Sequence, residues 1–183
     1  MSRPLYYLDW LLRRLERSIR LDHAQSTCHR KWSQFIRERD RFKCVICDGV
    51  GRVAAHHIVR KSLFPSARLL PGNGATLCAE CHKESHEGFN GEPKSSLPID
   101  AEGGEKLEGV AELFRIQASN FRSCYPDRPI YYHIDIGTLT SFGKMQGSSK
   151  LPVGEAIEIA WAIWDAPPEP LATAILSANF PTG

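Results

Sequence analysis

The sequence predicts an α+β protein, and three observations carry that prediction. Two Cys-x2-Cys pairs, Cys44/Cys47 and Cys78/Cys81, bracket a short stretch rich in β-branched residues and histidine. The residues ahead of them place apolar side chains at helical spacing. The residues behind them return to helical periods, with one alternating run. The expected architecture is a small unit of two strands and a helix stapled by a four-cysteine zinc, with N-terminal helices before it and a mixed, mostly helical C-terminal extension after it.

Each element follows in order. Leu5, Leu8, Leu12, Leu15 and Ile19 recur at steps of three and four, one apolar stripe of a helix over 4–21, with Ser2 as cap and Pro4 in the first turn. Arg13, Arg14, Arg17 and Arg20 fall largely off that stripe, where they can face a partner or simply form a solvated outer side. A second helix, 30–41, carries Trp32, Phe35 and Ile36 on one side and should pack under the metal unit. Residues 44–58 (Val45, Ile46, Val53 and Ile58 around Asp48-Gly49 and Gly51) read as knuckle and hairpin. A long loop with Pro65, Pro71, Gly72 and Gly74 leads to a short strand at 75–77 and a short helix from Ala79 to about Glu87, stopped by Gly88.

Gly, Pro, Ser and acidic residues then mark 91–104 as a linker. Beyond it, Leu107, Val110, Ala111, Phe114 and Phe121 suggest a helix, 130–136 a strand, and 153–164 another helix. The expected divisions are thus 1–29, a basic amphipathic helix; 30–90, the metal-bearing unit; the linker; and 105–183, an extension of unassigned role. Tyr131, Tyr132, Trp161 and Trp164 would serve a protein interface there, or equally a small core.

At 183 residues the chain can bury an ordinary core. Its net charge of +2 hides an asymmetry: residues 1–68 hold fifteen Lys or Arg against six Asp or Glu, and 69–183 hold eight against fifteen. The basic part can attract a polyanion; the acidic part is not expected to lie along the same phosphates. No run of about 18 apolar residues could span a bilayer. Asp9, Arg13, Arg14, Glu16 and Arg17 interrupt the early apolar residues, so no secretory leader is expected, and the expected location is cytoplasmic, without a membrane partner.

The cysteine arrangement is metal arithmetic rather than disulfide arithmetic, with Cys28 and Cys124 left as buried or idle thiols. Four thiolates on one tetrahedral Zn²⁺ leave no open position, so this ion would be structural. It cannot explain His56, His57, Asn73, His82 and His86. His82 and His86, four apart on a helix, present both imidazoles to one face. His56 and His57, adjacent on a strand, point to opposite faces, so one can bind a metal while the other meets water or substrate. His23, His29 and His133 have no partner at ligand spacing and read as structural or exposed.

Residues 30–90, with Ala55-His56-His57-Ile58, Asn73-Gly74-Ala75-Thr76-Leu77-Cys78, Cys81-His82 and His86, resemble the HNH (ββα-metal, or His-Me finger) endonucleases in their four-cysteine-zinc, phage-type or free-standing form. The His-His start and His-x3-His finish also resemble the colicin DNases. The resemblance implies a metal-dependent endonuclease that hydrolyses the phosphodiester bonds of DNA, double-stranded DNA foremost, in a phage-related, anti-phage or similar setting. In that reading His57 is the general base and Asn73 holds the loop and orients it. His56, His82 and His86 bind one catalytic divalent ion, and Cys44, Cys47, Cys78 and Cys81 bind the structural zinc.

His86 has an alternative role, touching phosphate or capping helix carbonyls. Imidazole ligands suit Mn²⁺, Ni²⁺ or Zn²⁺ better than Mg²⁺. After Ile58, where a proline is common in the family, this chain has Val59-Arg60-Lys61. Arg60, Lys61 and Arg68 are the candidate phosphate contacts, or solvated loop charges. The rival reading is a non-catalytic four-cysteine module that docks on nucleic acid or protein, and a protein partner for the C-terminal extension is a further expectation.

Overall fold

A computed structural model describes residues 5–61, 64–86, 107–145 and 150–166. The chain is mixed α and β and mostly helical. Six helices, α1 (Leu5–Arg20), α2 (Gln25–Arg39), α3 (Ala79–Glu84), α4 (Leu107–Cys124), α5 (Ile136–Met145) and α6 (Ala156–Asp165), accompany one two-stranded antiparallel sheet among the described residues. Strand β1 (Val53–His57) pairs with β2 (Gly74–Cys78) in a register that sets His57 opposite Gly74 and Val53 opposite Cys78. The linker expected over 91–104 lies outside the described residues.

α1 buries Leu8, Leu11, Leu12 and Leu15 against α2. The predicted stripe is corrected at its ends: Leu5 and Ile19 are 46% and 45% exposed, and Leu11 completes the buried face. α2 starts five residues before the sequence suggests, at Gln25, and its Trp32, Phe35 and Ile36 are fully buried against the sheet. Between α2 and β1 the chain makes a knuckle: the Cys44 amide donates to Gly49 O at 2.9 Å, and a bridge joins Lys43 to Val50. Asp48 takes a left-handed φ of 57° in the turn, a conformation that Asp tolerates better than most residues.

One buried arginine ties these pieces together. Arg39 donates to Pro71 O (2.9 Å), Tyr131 O (3.1 Å) and Gly74 O (2.7 Å) while gripping both carboxylate oxygens of Asp40. Asp40 in turn accepts from the Thr76 amide at 2.9 Å. A guanidinium without exposed surface is tolerable only when paired and saturated with acceptors in this way.

The strand expected over 130–136 does not form. Pro129–Tyr132 is a 3-10 turn and Ile136 opens α5. Tyr131 and Tyr132 are both buried, so the segment uses both of its faces rather than one. Its carbonyls are satisfied without a strand partner, Tyr131 O by Arg39 and His133 O by the Gly72 amide at 2.9 Å. That approach needs glycine at 72, since a Cβ there would stand 2.4 Å from Tyr132 O. α5, which the sequence reading missed, is capped by Asp135, whose carboxylate accepts from the Thr138 amide at 2.9 Å. α6 forms where a helix is expected over 153–164, running from Ala156 to Asp165, and packs on α4. α4 reaches back to the metal unit through Gln117 Nε2 to Gly74 O (3.3 Å) and Tyr125 Oη to Arg39 O (3.3 Å).

Candidate metal and histidine site

Cys44 and Cys47 come from the knuckle, Cys78 from the last residue of β2 and Cys81 from the first turn of α3. Their four sulfur atoms lie within 4.8 Å of one another. Cys47 Sγ and Cys78 Sγ are 3.8 Å apart, which matches the edge of a tetrahedron with Zn–S bonds of about 2.3 Å. Burial pushes the Cys44 thiol up, but the backbone amides of Cys78, Cys47 and Ile46 outweigh it and hold its pKa at about 7. The Cys81 thiol is pushed well up by burial and by its neighbouring thiols. The crowded sulfurs cannot all ionise without a cation among them, and a zinc ion fits this donor set.

The second cluster is on the other flank of α3. Ring nitrogens of His56, His82 and His86 also lie within 4.8 Å of one another. The ring centroids form a nearly equilateral triangle, 5.1, 4.8 and 4.9 Å on a side. α3 ends at Glu84, earlier than its sequence suggests, yet the turn continues through Ser85 N to Cys81 O and His86 N to Lys83 O. His86 therefore keeps to the same face as His82. Burial lowers the pKa of all three, His86 to about 4, and for His56 and His86 the neighbouring cations and imidazoles add to it. Three neutral imidazoles converging on one point are a set of lone pairs suited to a borderline divalent ion.

His57 faces away from this triangle. Its Nε2 lies 3.0 Å from Arg68 O. A carbonyl only accepts, so Nε2 carries the proton and Nδ1 keeps the lone pair in the neutral ring. The ring lies flat on Trp32, centroids 4.1 Å apart and 9° from parallel, and Trp32 Nε1 donates to Leu70 O at 3.0 Å. Gly74, opposite His57 on β2, makes room for this stack: a Cβ there would fall 2.8 Å from Trp32 Cζ2 and 2.6 Å from Ile36 Cδ1. Burial, then the charges of His29, Lys61 and Arg68, lower the His57 pKa to about 4 against the opposing Arg68 carbonyl.

Asn73 is buried and braces the loop that carries Arg68. Its Oδ1 accepts from Val59 N at 2.8 Å and its Nδ2 donates to Val59 O and Ala67 O, both at 3.1 Å. Ala67, which it holds, precedes Arg68, whose carbonyl meets His57.

The three basic candidates divide between the two histidine groups. Arg60 is buried, not standing out on the loop, and its charge is felt at His86. Exposed Lys61 and half-buried Arg68 act on His57 and His29. His29, read from sequence as a bystander, stacks 5.5 Å from His57 and lies one turn before Trp32 on α2. Its spacing of three from Trp32 was the only sequence signal for that role. Cys28 is buried and Cys124 exposed, and neither belongs to either cluster.

No protein family, curated protein or solved structure matches the chain. No helix among the described residues is long and apolar enough to cross a membrane.

Proposed function

We propose that the chain is an HNH-type, ββα-metal endonuclease that hydrolyses phosphodiester bonds of DNA, double-stranded DNA foremost, with His57 as general base. One observation carries the reading: two adjacent strand histidines are sorted into different environments. His56 joins His82 and His86 in a triangle of neutral imidazoles, whereas His57 is clamped by a carbonyl on Nε2, which leaves the lone pair on Nδ1. A structural zinc alone has no use for either arrangement.

His56, His82 and His86 would hold a divalent ion (Mn²⁺, Ni²⁺, Mg²⁺ or Zn²⁺), which would supply Lewis-acid stabilisation of charge on the phosphate. His57 takes a proton at Nδ1 from the attacking water as the new P–O bond forms and the 3′ oxygen leaves. A base with a pKa of about 4 is weak but almost wholly unprotonated at neutral pH, and its fixed ring removes the cost of orienting it. Lys61 and Arg68 place positive charge beside His57, where a phosphate backbone would run.

The test is cleavage of supercoiled plasmid, linear duplex, single-stranded DNA and RNA across Mg²⁺, Mn²⁺, Ni²⁺ and Zn²⁺. Wild type should nick or cut plasmid, and His57→Ala should lower the rate by about 10² or more with zinc content unchanged. Undiminished cutting by purified His57→Ala sinks the mechanism. Binding without cleavage by wild type under every ion leaves the non-catalytic zinc module.

A further inference from the structure

α1 has a solvent face that neither metal cluster uses. Positions 6, 10, 13, 17 and 20 follow steps of four, three, four and three, which put Tyr6, Trp10, Arg13, Arg17 and Arg20 on one side of the helix. That side is opposite to the buried Leu8, Leu11, Leu12 and Leu15. Tyr6 is 72% and Trp10 45% exposed, and Arg13, Arg17 and Arg20 are exposed throughout. Arg14 closes the row, its guanidinium 4.5 Å from the centre of the Trp10 ring.

The two acidic residues of the helix flank this row, Asp9 four residues before Arg13 and Glu16 four before Arg20. Asp9 is turned toward the protein, where its carboxylate accepts from Tyr131 Oη at 2.7 Å, and Glu16 lies on the flank between the row and the core. The helix is also held in place at both ends, by Tyr131 Oη against Leu5 O (3.3 Å) and by Lys31 bonded to Ser18. The row is therefore presented on a fixed rod.

We propose that this face of α1 is a nucleic-acid-binding surface. Four guanidiniums on this side of the helix outnumber the two flanking carboxylates, one of which is held by Tyr131, and arginine matches phosphate with a planar, two-pronged donor. Exposed Tyr6 offers a flat face on which an unpaired base can stack, whereas the Trp10 ring is already covered by the Arg14 guanidinium and stacked with Tyr7 at 5.6 Å. The proposal shares with the nuclease reading only its choice of polyanion, because the row itself contains none of the proposed catalytic groups.

The test uses full-length protein carrying His57→Ala, so that binding is read without cutting. Fluorescence anisotropy with a labelled 30-base-pair duplex and a labelled 30-nucleotide single strand is measured over a salt series, with and without Arg13→Gln, Arg17→Gln and Arg20→Gln together. Circular dichroism checks that α1 persists. The triple variant should bind duplex at least tenfold more weakly near 0.1 M salt and flatten the log–log salt slope by about two to three, one ion per lost phosphate contact. Lysine at the same three positions should restore the slope. Tyr6→Ala should weaken single-strand binding more than duplex binding.

Unchanged affinity and slope in the triple variant overturn the proposal, as does a loss confined to phosphatidylserine vesicles, which would make the face a membrane contact. The two readings fail separately. If wild type cuts plasmid and the otherwise wild-type triple variant cuts it with unchanged KM, the surface is refuted and the nuclease stands. If wild type cuts nothing but the row still governs binding, the surface stands without the nuclease.

Discussion

At the scale of single residues, the His57 ring is fixed by three contacts that reach it from different parts of the chain. The Arg68 carbonyl sets its tautomer, Trp32 its plane, and Gly74 the space in which that plane can lie. Gly74→Ala should displace Trp32 or Ile36 and tilt His57, lowering plasmid cleavage about tenfold or more, while zinc content stays at one ion. Trp32→Phe keeps an aromatic plane but loses the Nε1 bond to Leu70 O. It should cost about 1 kcal/mol in urea unfolding and leave much of the activity. Trp32→Ala should cost about 3–5 kcal/mol. Equal activity in the Phe and Ala variants, each measured below its unfolding transition, would show that the stack does not position His57 for the proposed reaction. Asn73→Ala strips partners from the Val59 amide and from two carbonyls in a buried loop, so a loss of about 2–4 kcal/mol is expected by denaturant titration.

At the scale of elements, the four-cysteine cluster joins three of them: the 44–50 knuckle, the end of β2 and the start of α3. Cys81→Ser should release zinc to a chromogenic chelator and destabilise the fold by about 4 kcal/mol or more. In a chain of this size that is a drop in Tm of about 8–16 °C by calorimetry. A variant that keeps its Tm would show that α3 docks without the ion. The cysteines and the His56, His82, His86 set were legible in the sequence because their chemistry is written in short spacings on single elements. The groups that orient His57 were not. A backbone carbonyl at Arg68 has no residue signature, and the meeting of Trp32, His57 and Gly74 depends on α2 crossing a sheet that forms later in the chain. His29 was missed for the same reason. The 130–136 segment misled in the opposite sense, since its alternation was real but its carbonyls found Arg39 and Gly72 rather than a strand.

At the scale of the whole molecule, four histidines held neutral by burial give the fold an acid-sensitive stability. His57 and His86 sit at about 4, and His56 and His82 are also lowered, against an ordinary value of about 6.5 in the unfolded chain. Between those values the unfolded state binds more protons than the folded state, so stability rises with pH through the window and is level in these groups above about 6.5. Loss on acidification therefore begins near 6.5 and is complete as pH falls through the folded values. A divalent ion on the triangle would act in the same direction, because it too would require neutral imidazoles, and so would a zinc ion on the four thiolates, which protonate in acid. His57→Phe separates His57 from the triangle of His56, His82 and His86: it keeps a ring against Trp32 and removes one titrating group. Urea midpoints measured from pH 7.5 to 4.5 should fall steadily for wild type. The slope for His57→Phe should be shallower by up to about 1.4 kcal/mol per pH unit, the linkage of one proton. Identical slopes would mean that His57 is not held neutral by the fold, and its assignment as a base kept unprotonated by burial would fall with that result.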